Sequence, residues 1–274
     1  MPISDSLSRI VTQLVHHVEA AGRLALDEQQ AITFSDREYK ADGSVVTDAD
    51  RRVEDFLVER IAAIDPRANI ITEETPRSFD PGKPVTYALD PIDGTDVFSQ
   101  GMPGWCVSVG LLDAQLIPVA GVIYAPRLDL LLVADGRDAP IVNGAPLPAR
   151  RPPEPVSVRS NLMVTSRIHR ILDLRNYIGK IRGIGSAALH LCYPILYPVV
   201  IGALEGPGVH IWDIAAAHAI NLARGMDLAY LSGDRLDYAT LVDGGPGADV
   251  VMAGAQPILA ELRGMLRRLT PQKD

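Results

Sequence analysis

Apolar residues recur every three or four positions at Leu7, Ile10, Val11, Leu14, Val15, Val18 and Ala21. That spacing turns one face of a helix toward a core, and it predicts a first helix over residues 6–26. A second helix is predicted over 49–64, where Val53, Phe56, Leu57, Ile61 and Ile64 share a face. Thr47 or Asp48 is placed to cap it, with Asp48 preferred. Asp65-Pro66 ends it, because the residue before proline avoids the helical region. Strand-like runs follow at 69–72 and 85–89. Three more, at 105–112, 116–124 and 128–133, read as a meander, and Asn143-Gly144 is a hairpin turn signal.

The one Pro-rich, basic segment, Pro148-Ala149-Arg150-Arg151-Pro152-Pro153-Glu154-Pro155, is the natural boundary between halves 1–148 and 156–274. Beyond it strands and helices alternate. Strands are expected at 162–165, 199–204 and 250–252. Helices are expected at 186–196, entered through Gly183-Ile184-Gly185, and at 213–223 and 258–266. This alternation indicates an α/β layer.

Composition narrows the functional classes. The chain has 274 residues, is 47% hydrophobic and carries a net charge of −8. A substantial core is affordable, and a nucleic-acid duplex or an anionic membrane is excluded as a general partner. An acidic protein that handles an anionic substrate needs local positive charge, for which metal ions are the obvious source. Cys106 and Cys192 sit in apolar stretches and read as buried free thiols. The N-terminus lacks the basic-then-apolar design of a signal peptide, and the apolar run 189–204, broken by Pro194 and Pro198, is too short for a membrane span. A cytoplasmic location is expected.

Three acidic clusters stand at strand ends or helix starts: Glu73-Glu74, Asp90 with Asp93, and Asp213. Carboxylates from several such edges would form an oxygen-rich pocket suited to hard cations such as Mg²⁺. In Asp90-Pro91-Ile92-Asp93-Gly94-Thr95, Pro91 stiffens the turn, the two aspartates can face one space, and Gly94 lets backbone approach a ligand. The Gly94 and Thr95 N–H groups could face a phosphate if a helix starts there. Taken alone the hexapeptide is an ordinary Asp-rich turn; the other clusters favour a metal site.

These pieces resemble the inositol monophosphatase superfamily, which includes bacterial fructose-bisphosphatase relatives and 3′-phosphoadenosine-5′-phosphate phosphatases. Lys40-Ala41-Asp42-Gly43-Ser44-Val45-Val46-Thr47-Asp48-Ala49-Asp50 resembles its lysine-to-aspartate loop and Glu73-Glu74 its paired glutamates. Asp90 to Thr95 resembles its first signature, and Trp212-Asp213-Ile214-Ala215-Ala216 its second. The resemblance implies a layered αβαβα sandwich of the inositol monophosphatase/fructose-1,6-bisphosphatase type. It implies an α+β N-terminal half with most metal ligands and an α/β C-terminal half carrying Asp213. It further implies a Mg²⁺-dependent phosphomonoesterase with two to three ions, sensitive to Li⁺ and usually homodimeric, acting on a small phosphorylated metabolite. Glu73, Asp90 and the Ile92 carbonyl would hold one Mg²⁺; Asp90, Asp93 and Asp213 a second; Glu73 would help hold a third. Thr95 with Asp50 would orient and deprotonate the attacking water, Glu73 assisting, while Gly94 and Thr95 bind phosphate. Gly185, Ser186 and Ala187 would face the organic part of the substrate.

Lys40 could reach the phosphate or be solvated. Trp212 is expected to buttress the Asp213 loop, His210 to be structural, and Glu74 to support the site. Arg167 and Arg170 either contact an anionic substrate or lie on a solvated helix face. Inositol-specific relatives carry a glutamate seven residues before the second-signature aspartate, where this chain has Gly206. Glu205 could substitute for it. The expected substrate is an inositol, polyol or sugar phosphate. A 3′(2′),5′-bisphosphate nucleotide is the alternative, and a non-catalytic metal-binding relative the alternative of another class.

Overall fold

The computed structural model describes residues 3–31, 38–39, 45–137, 139–149 and 152–269. Helices α1 (Ile3–Ala31) and α2 (Asp48–Ile64) pack together on one face of a seven-stranded sheet. That sheet comprises β3 (Asn69–Thr72), β4 (Val85–Asp93), β5 (Cys106–Asp113), β6 (Pro118–Ala125), β7 (Leu130–Ala134), β8 (Ile141–Val142) and β9 (Ala145–Pro146), paired in chain order. Only β3 and β4 run parallel. The short helix α3 (Thr95–Ser99) follows β4. Helices α4 (Ala187–Leu196) and α5 (Ile211–Leu222) form the middle layer.

A second sheet lies on the far side of α4, in the order β12 (Lys180–Arg182), β10 (Asn161–Val164), β13 (Val200–Glu205), β15 (Val251–Gly254), β14 (Asp227–Tyr230). Its first three strands are parallel and β15 is antiparallel to both neighbours. Helix α6 (Gln256–Met265) closes the stack against β13 and β15. Two small ladders, β1 (Glu38–Tyr39) with β2 (Val45–Val46) and β11 (Leu172–Asp173) with β16 (Arg267–Arg268), lie outside the sheets. The layers therefore run αβαβα. The C-terminal sheet is mixed because β15 alone runs against its neighbours, and β14 was not evident in the hydrophobic pattern.

Two helix ends differ from expectation for physical reasons. Helix α1 continues past residue 26 because Ala25 stays buried and Gln29 anchors the end, donating to the Phe98 and Met102 carbonyls at 2.9 and 3.1 Å. The N-cap of α2 is Thr47, not Asp48. Asp48 is the first helical residue and accepts a surface hydrogen bond from Arg51 at 3.2 Å.

Strand alternation divides the core. Val107, Val109 and Leu111 of β5 join the α1/α2 core, whereas Cys106 and Leu112 join the α4/α5 core. Gly110 lies on the α5 side, paired in register with Gly121 of β6. A Cβ at Gly110 would sit 2.6 Å from the Ala215 Cβ and 2.6 Å from the Ala216 nitrogen; one at Gly121 would sit 2.6 Å from the Ala216 carbonyl oxygen. These glycines let the α5 backbone lie directly on the sheet, which draws Asp213 toward β4. Gly110→Ala and Gly121→Ala should each lower stability by about 1–3 kcal/mol through overpacking against backbone. Urea unfolding measures this, and an unchanged midpoint would contradict the contact.

Candidate active site

Residues three apart on a regular strand face opposite sides of the sheet. Asp90 and Asp93 do not, because the ladder shifts between them: Asp90 pairs with Ser108 and Asp93 with Cys106, so three steps on β4 span two on β5. The extra residue is a bulge, which re-aims side chains. Asp90 to Asp93 thus belong to β4 rather than to a turn after it, and Thr95 opens α3. Asp90 Oδ1 accepts the Ile92 N–H at 3.0 Å, an Asx turn across Pro91. Gly94, at φ +95° with the Gly104 carbonyl 3.1 Å from any Cβ, turns the chain into α3.

Asp213 enters from the first turn of α5, where its Oδ2 accepts the His210 N–H at 2.6 Å. One oxygen from each of Asp90, Asp93 and Asp213 lies within 4.8 Å of the others. Burial raises the carboxyl of Asp90 well above the usual range, and the charges of Glu73, Asp93, Asp213 and Asp50 add to it. Burial likewise raises Asp213, with Asp93 and Glu73 adding and the His210 N–H opposing. Burial raises Asp93 to about 6 even though Ser186, Ala188 and Ala187 donate to it. An all-oxygen, mutually repelling set of this kind can hold a hard divalent cation.

Asp93 is grasped from the C-terminal half. The Ser186 hydroxyl donates to Oδ2 at 2.5 Å, the Ala188 N–H to Oδ2 at 2.6 Å and the Ala187 N–H to Oδ1 at 3.0 Å. The Cys106 thiol adds a weak contact to Oδ2 at 3.7 Å, and burial holds that thiol protonated. Oδ1, with one donor, keeps the freer lone pair.

Asp50 and Thr95 form the second part of the site. Asp50 is buried at the third position of α2, where its Oδ2 accepts the Thr47 N–H at 2.8 Å and the Thr47 hydroxyl at 2.6 Å. The Thr95 hydroxyl lies 3.0 Å from Asp50 Oδ1 and 2.9 Å from the Ile92 carbonyl. Burial lifts Asp50 to about 6, with the Thr47 hydrogen bonds opposing and the Glu73 charge adding. Glu54, one turn along α2 and 1% exposed, accepts the Glu74 N–H at 2.8 Å, which sets the Glu73-Glu74 segment beside Asp50.

Further out, His210 stacks on Trp212 with centroids 4.7 Å apart and holds the Gly244 carbonyl at 2.9 Å. Both residues support the Asp213 turn. Glu205 is buried against His190, and Ser186 is buried on Asp93, while Gly185 is exposed and Ala187 partly buried. Arg167 and Arg170 are exposed around a 3-10 turn. Lys40 lies outside the described residues. Sequence reasoning missed Glu54 and His190. Glu54 could have been found as an acidic residue four positions after Asp50 on the helix's buried face; nothing local marks His190.

The raised carboxyls have a sign that can be measured. A folded-state value lifted from 3.8 to about 6 at Asp50 and Asp93 means the folded chain binds protons more tightly than the unfolded chain. Their contribution to stability is complete below the unfolded value and is lost as pH rises through about 6. Asp90→Asn keeps the acceptor for the Ile92 N–H and removes one charge. It should raise the stability of metal-free protein at pH 7, because a buried carboxyl whose ionised form is disfavoured is replaced by a neutral amide, and should weaken the stabilisation by Mg²⁺. Chemical unfolding with and without Mg²⁺ checks both effects; a destabilised metal-free variant would contradict the assignment.

Comparison with known proteins bears on the family and the fold. The model of the inositol monophosphatase family matches residues 6–262. The chain is 31% identical to inositol monophosphatase 1 of Solanum lycopersicum, over 73% of this chain and 77% of that one. It is 27% identical to the 3′(2′),5′-bisphosphate nucleotidase CysQ of Buchnera aphidicola, over 86% and 90%. The extragenic suppressor protein suhB of Bartonella henselae shares the fold with a TM-score of 0.78 at 24% identity, over 94% of this chain and 98% of that one. With the sequence matched along almost its whole length and the same layered fold, the chain belongs to the inositol monophosphatase family.

Proposed function

We propose that the protein hydrolyses a small phosphate monoester, of the inositol, polyol or sugar class, by direct attack of water with Mg²⁺ as cofactor. The observation that carries this reading is the convergence of Asp90, Asp93 and Asp213 oxygens within 4.8 Å in a site where burial and mutual repulsion disfavour the ionised carboxylates. The donors are all hard oxygens, which fits Mg²⁺. Glu73, Asp90 and the Ile92 carbonyl would hold one ion, and Asp90, Asp93 and Asp213 another, with Glu73 contributing to a third. Bound ions supply charge neutralisation for the phosphoryl group and a lowered pKa for water.

The protein's own groups divide the remaining work. Asp50 Oδ1, hydrogen-bonded to the Thr95 hydroxyl, is placed to draw a proton through Thr95, and its value of about 6 suits a base near neutral pH. Thr95 orients the water. The Gly94 and Thr95 N–H groups, at the turn into α3, would donate to the phosphate oxygens. Gly185 and Ala187 border the organic part of the substrate.

The full-length similarity to a bisphosphate nucleotidase supports a second reading, a 3′(2′),5′-bisphosphate nucleotide substrate. Homodimer formation is supported by exposed Val158, Ile178, Tyr197 and Val199 near the same ends of β10, β12 and β13. Among the described residues no helix is long and apolar enough to cross a membrane, and a cytoplasmic location and inhibition by Li⁺ complete the proposal.

Phosphate release from inositol 1-phosphate, fructose 1,6-bisphosphate and phosphoadenosine phosphate, measured side by side with Mg²⁺, tests the reading. Turnover of a polyol or sugar phosphate is expected, and preference for the nucleotide would select the second reading. Asp93→Asn and Thr95→Ala should each lower kcat by about 10²-fold or more while circular dichroism stays unchanged. Mg²⁺ binding without turnover of any ester would overturn the enzyme reading in favour of a non-catalytic relative.

A further inference from the structure

Glu205 ends β13 with its side chain buried, 4% exposed, and its Oε1 is 2.5 Å from Nδ1 of His190, itself 2% exposed on α4. The other ring nitrogen, Nε2, receives the Ile184 N–H at 2.7 Å and the Gly185 N–H at 3.4 Å. A backbone N–H can only donate, so Nε2 must carry the lone pair and Nδ1 the proton. Glu205, as acceptor for Nδ1–H, holds the ring in that tautomer.

The loop fixed by this ring is tightly confined. The Ile184 carbonyl presses on Gly104, where a Cβ would lie 1.9 Å away, and Gly185, at φ +119°, lies against Val97 of α3. The same loop then delivers the Ser186 hydroxyl and the Ala187 and Ala188 N–H groups to Asp93. A continuous line of hydrogen bonds thus runs from Glu205 through His190 and the 184–188 segment to Asp93. We propose that Glu205 is a positioning residue: acting through His190, it sets the segment that orients the Asp93 carboxylate for the cation. The inference rests on the metal role assigned to Asp93 above. It also gives Glu205 a purpose other than contact with a substrate hydroxyl, because the oxygen nearest the ring is already engaged. Without an acceptor at 205 the ring can move its proton to Nε2, where it opposes the Ile184 N–H and releases the loop.

Nitrogen-15 NMR of the His190 ring in the full chain at pH 7 reads the first link directly. A protonated Nδ1 and a lone-pair Nε2 are expected; a protonated Nε2 in the unmodified protein overturns the proposal. Glu205→Leu should mix or reverse the tautomer and weaken Mg²⁺ binding, measured by calorimetry without substrate, by about tenfold, the scale of lost outer-shell support. Glu205→Gln retains an oxygen that accepts from Nδ1 and should hold Mg²⁺ affinity within about twofold. Unchanged affinity in Glu205→Leu, or equal damage in Glu205→Gln, would contradict positioning through the ring. Tautomer and Mg²⁺ binding need no turnover. If both behave as expected and no ester is hydrolysed, only the phosphatase reading fails; if Mg²⁺ does not bind the unmodified protein, the positioning proposal fails with the metal assignment.

Discussion

Asp90, Asp93 and Asp213 bring carboxylate oxygens within 4.8 Å of one another where the seven-stranded sheet meets the middle helices. At an effective dielectric near 20, two unit charges at that separation repel by about 3.5 kcal/mol. Three ionised groups make three such pairs, a sum comparable to the entire stability of an ordinary domain. Without cations the site must therefore keep protons on some of its carboxyls, and the raised values of Asp90, Asp93 and Asp213 express that requirement. A cation that replaced those protons would convert repulsion into ligation, the basis of the proposed chemistry.

The surrounding structure keeps those groups together against their repulsion. The bulge in β4 turns Asp93 to the side that Asp90 faces. Gly110 and Gly121 let α5 settle on the sheet and bring Asp213 in. The start of α4 places three donors on Asp93, joining a strand of the N-terminal half to a helix of the C-terminal half. Glu54 ties the Glu73-Glu74 segment to α2, which also carries Asp50. Each of these carboxylates is thereby fixed by an element that is itself packed into one of the cores, the arrangement a preorganised site needs.

Much of this was legible in the residues because its signals are local. Helical spacing located α1 and α2, alternation of elements placed α4 and α5, and the meander of β5 to β7 showed in its apolar runs. The hexapeptide, the paired glutamates and Asp213 announced themselves by acidic residues set against apolar stretches. What the sequence hid depends on distant pairing. The apolar run of β4 ends at Leu89, and its continuation through Pro91 to Asp93 needs a bulge, which is defined by the partner strand. Thr47 outcompetes Asp48 for the cap because Asp50 reaches back to it. His190 and Glu205 lie fifteen residues apart with no periodic relation, so their contact emerges only when α4 packs on β13.

The claim at the centre is that cations replace protons among Asp90, Asp93 and Asp213. Anomalous diffraction from crystals grown with Mn²⁺ in place of Mg²⁺ tests it most directly. The account predicts metal peaks within coordination distance of oxygens from all three aspartates. Peaks only elsewhere on the molecule, with the three carboxylates left to one another, would contradict it.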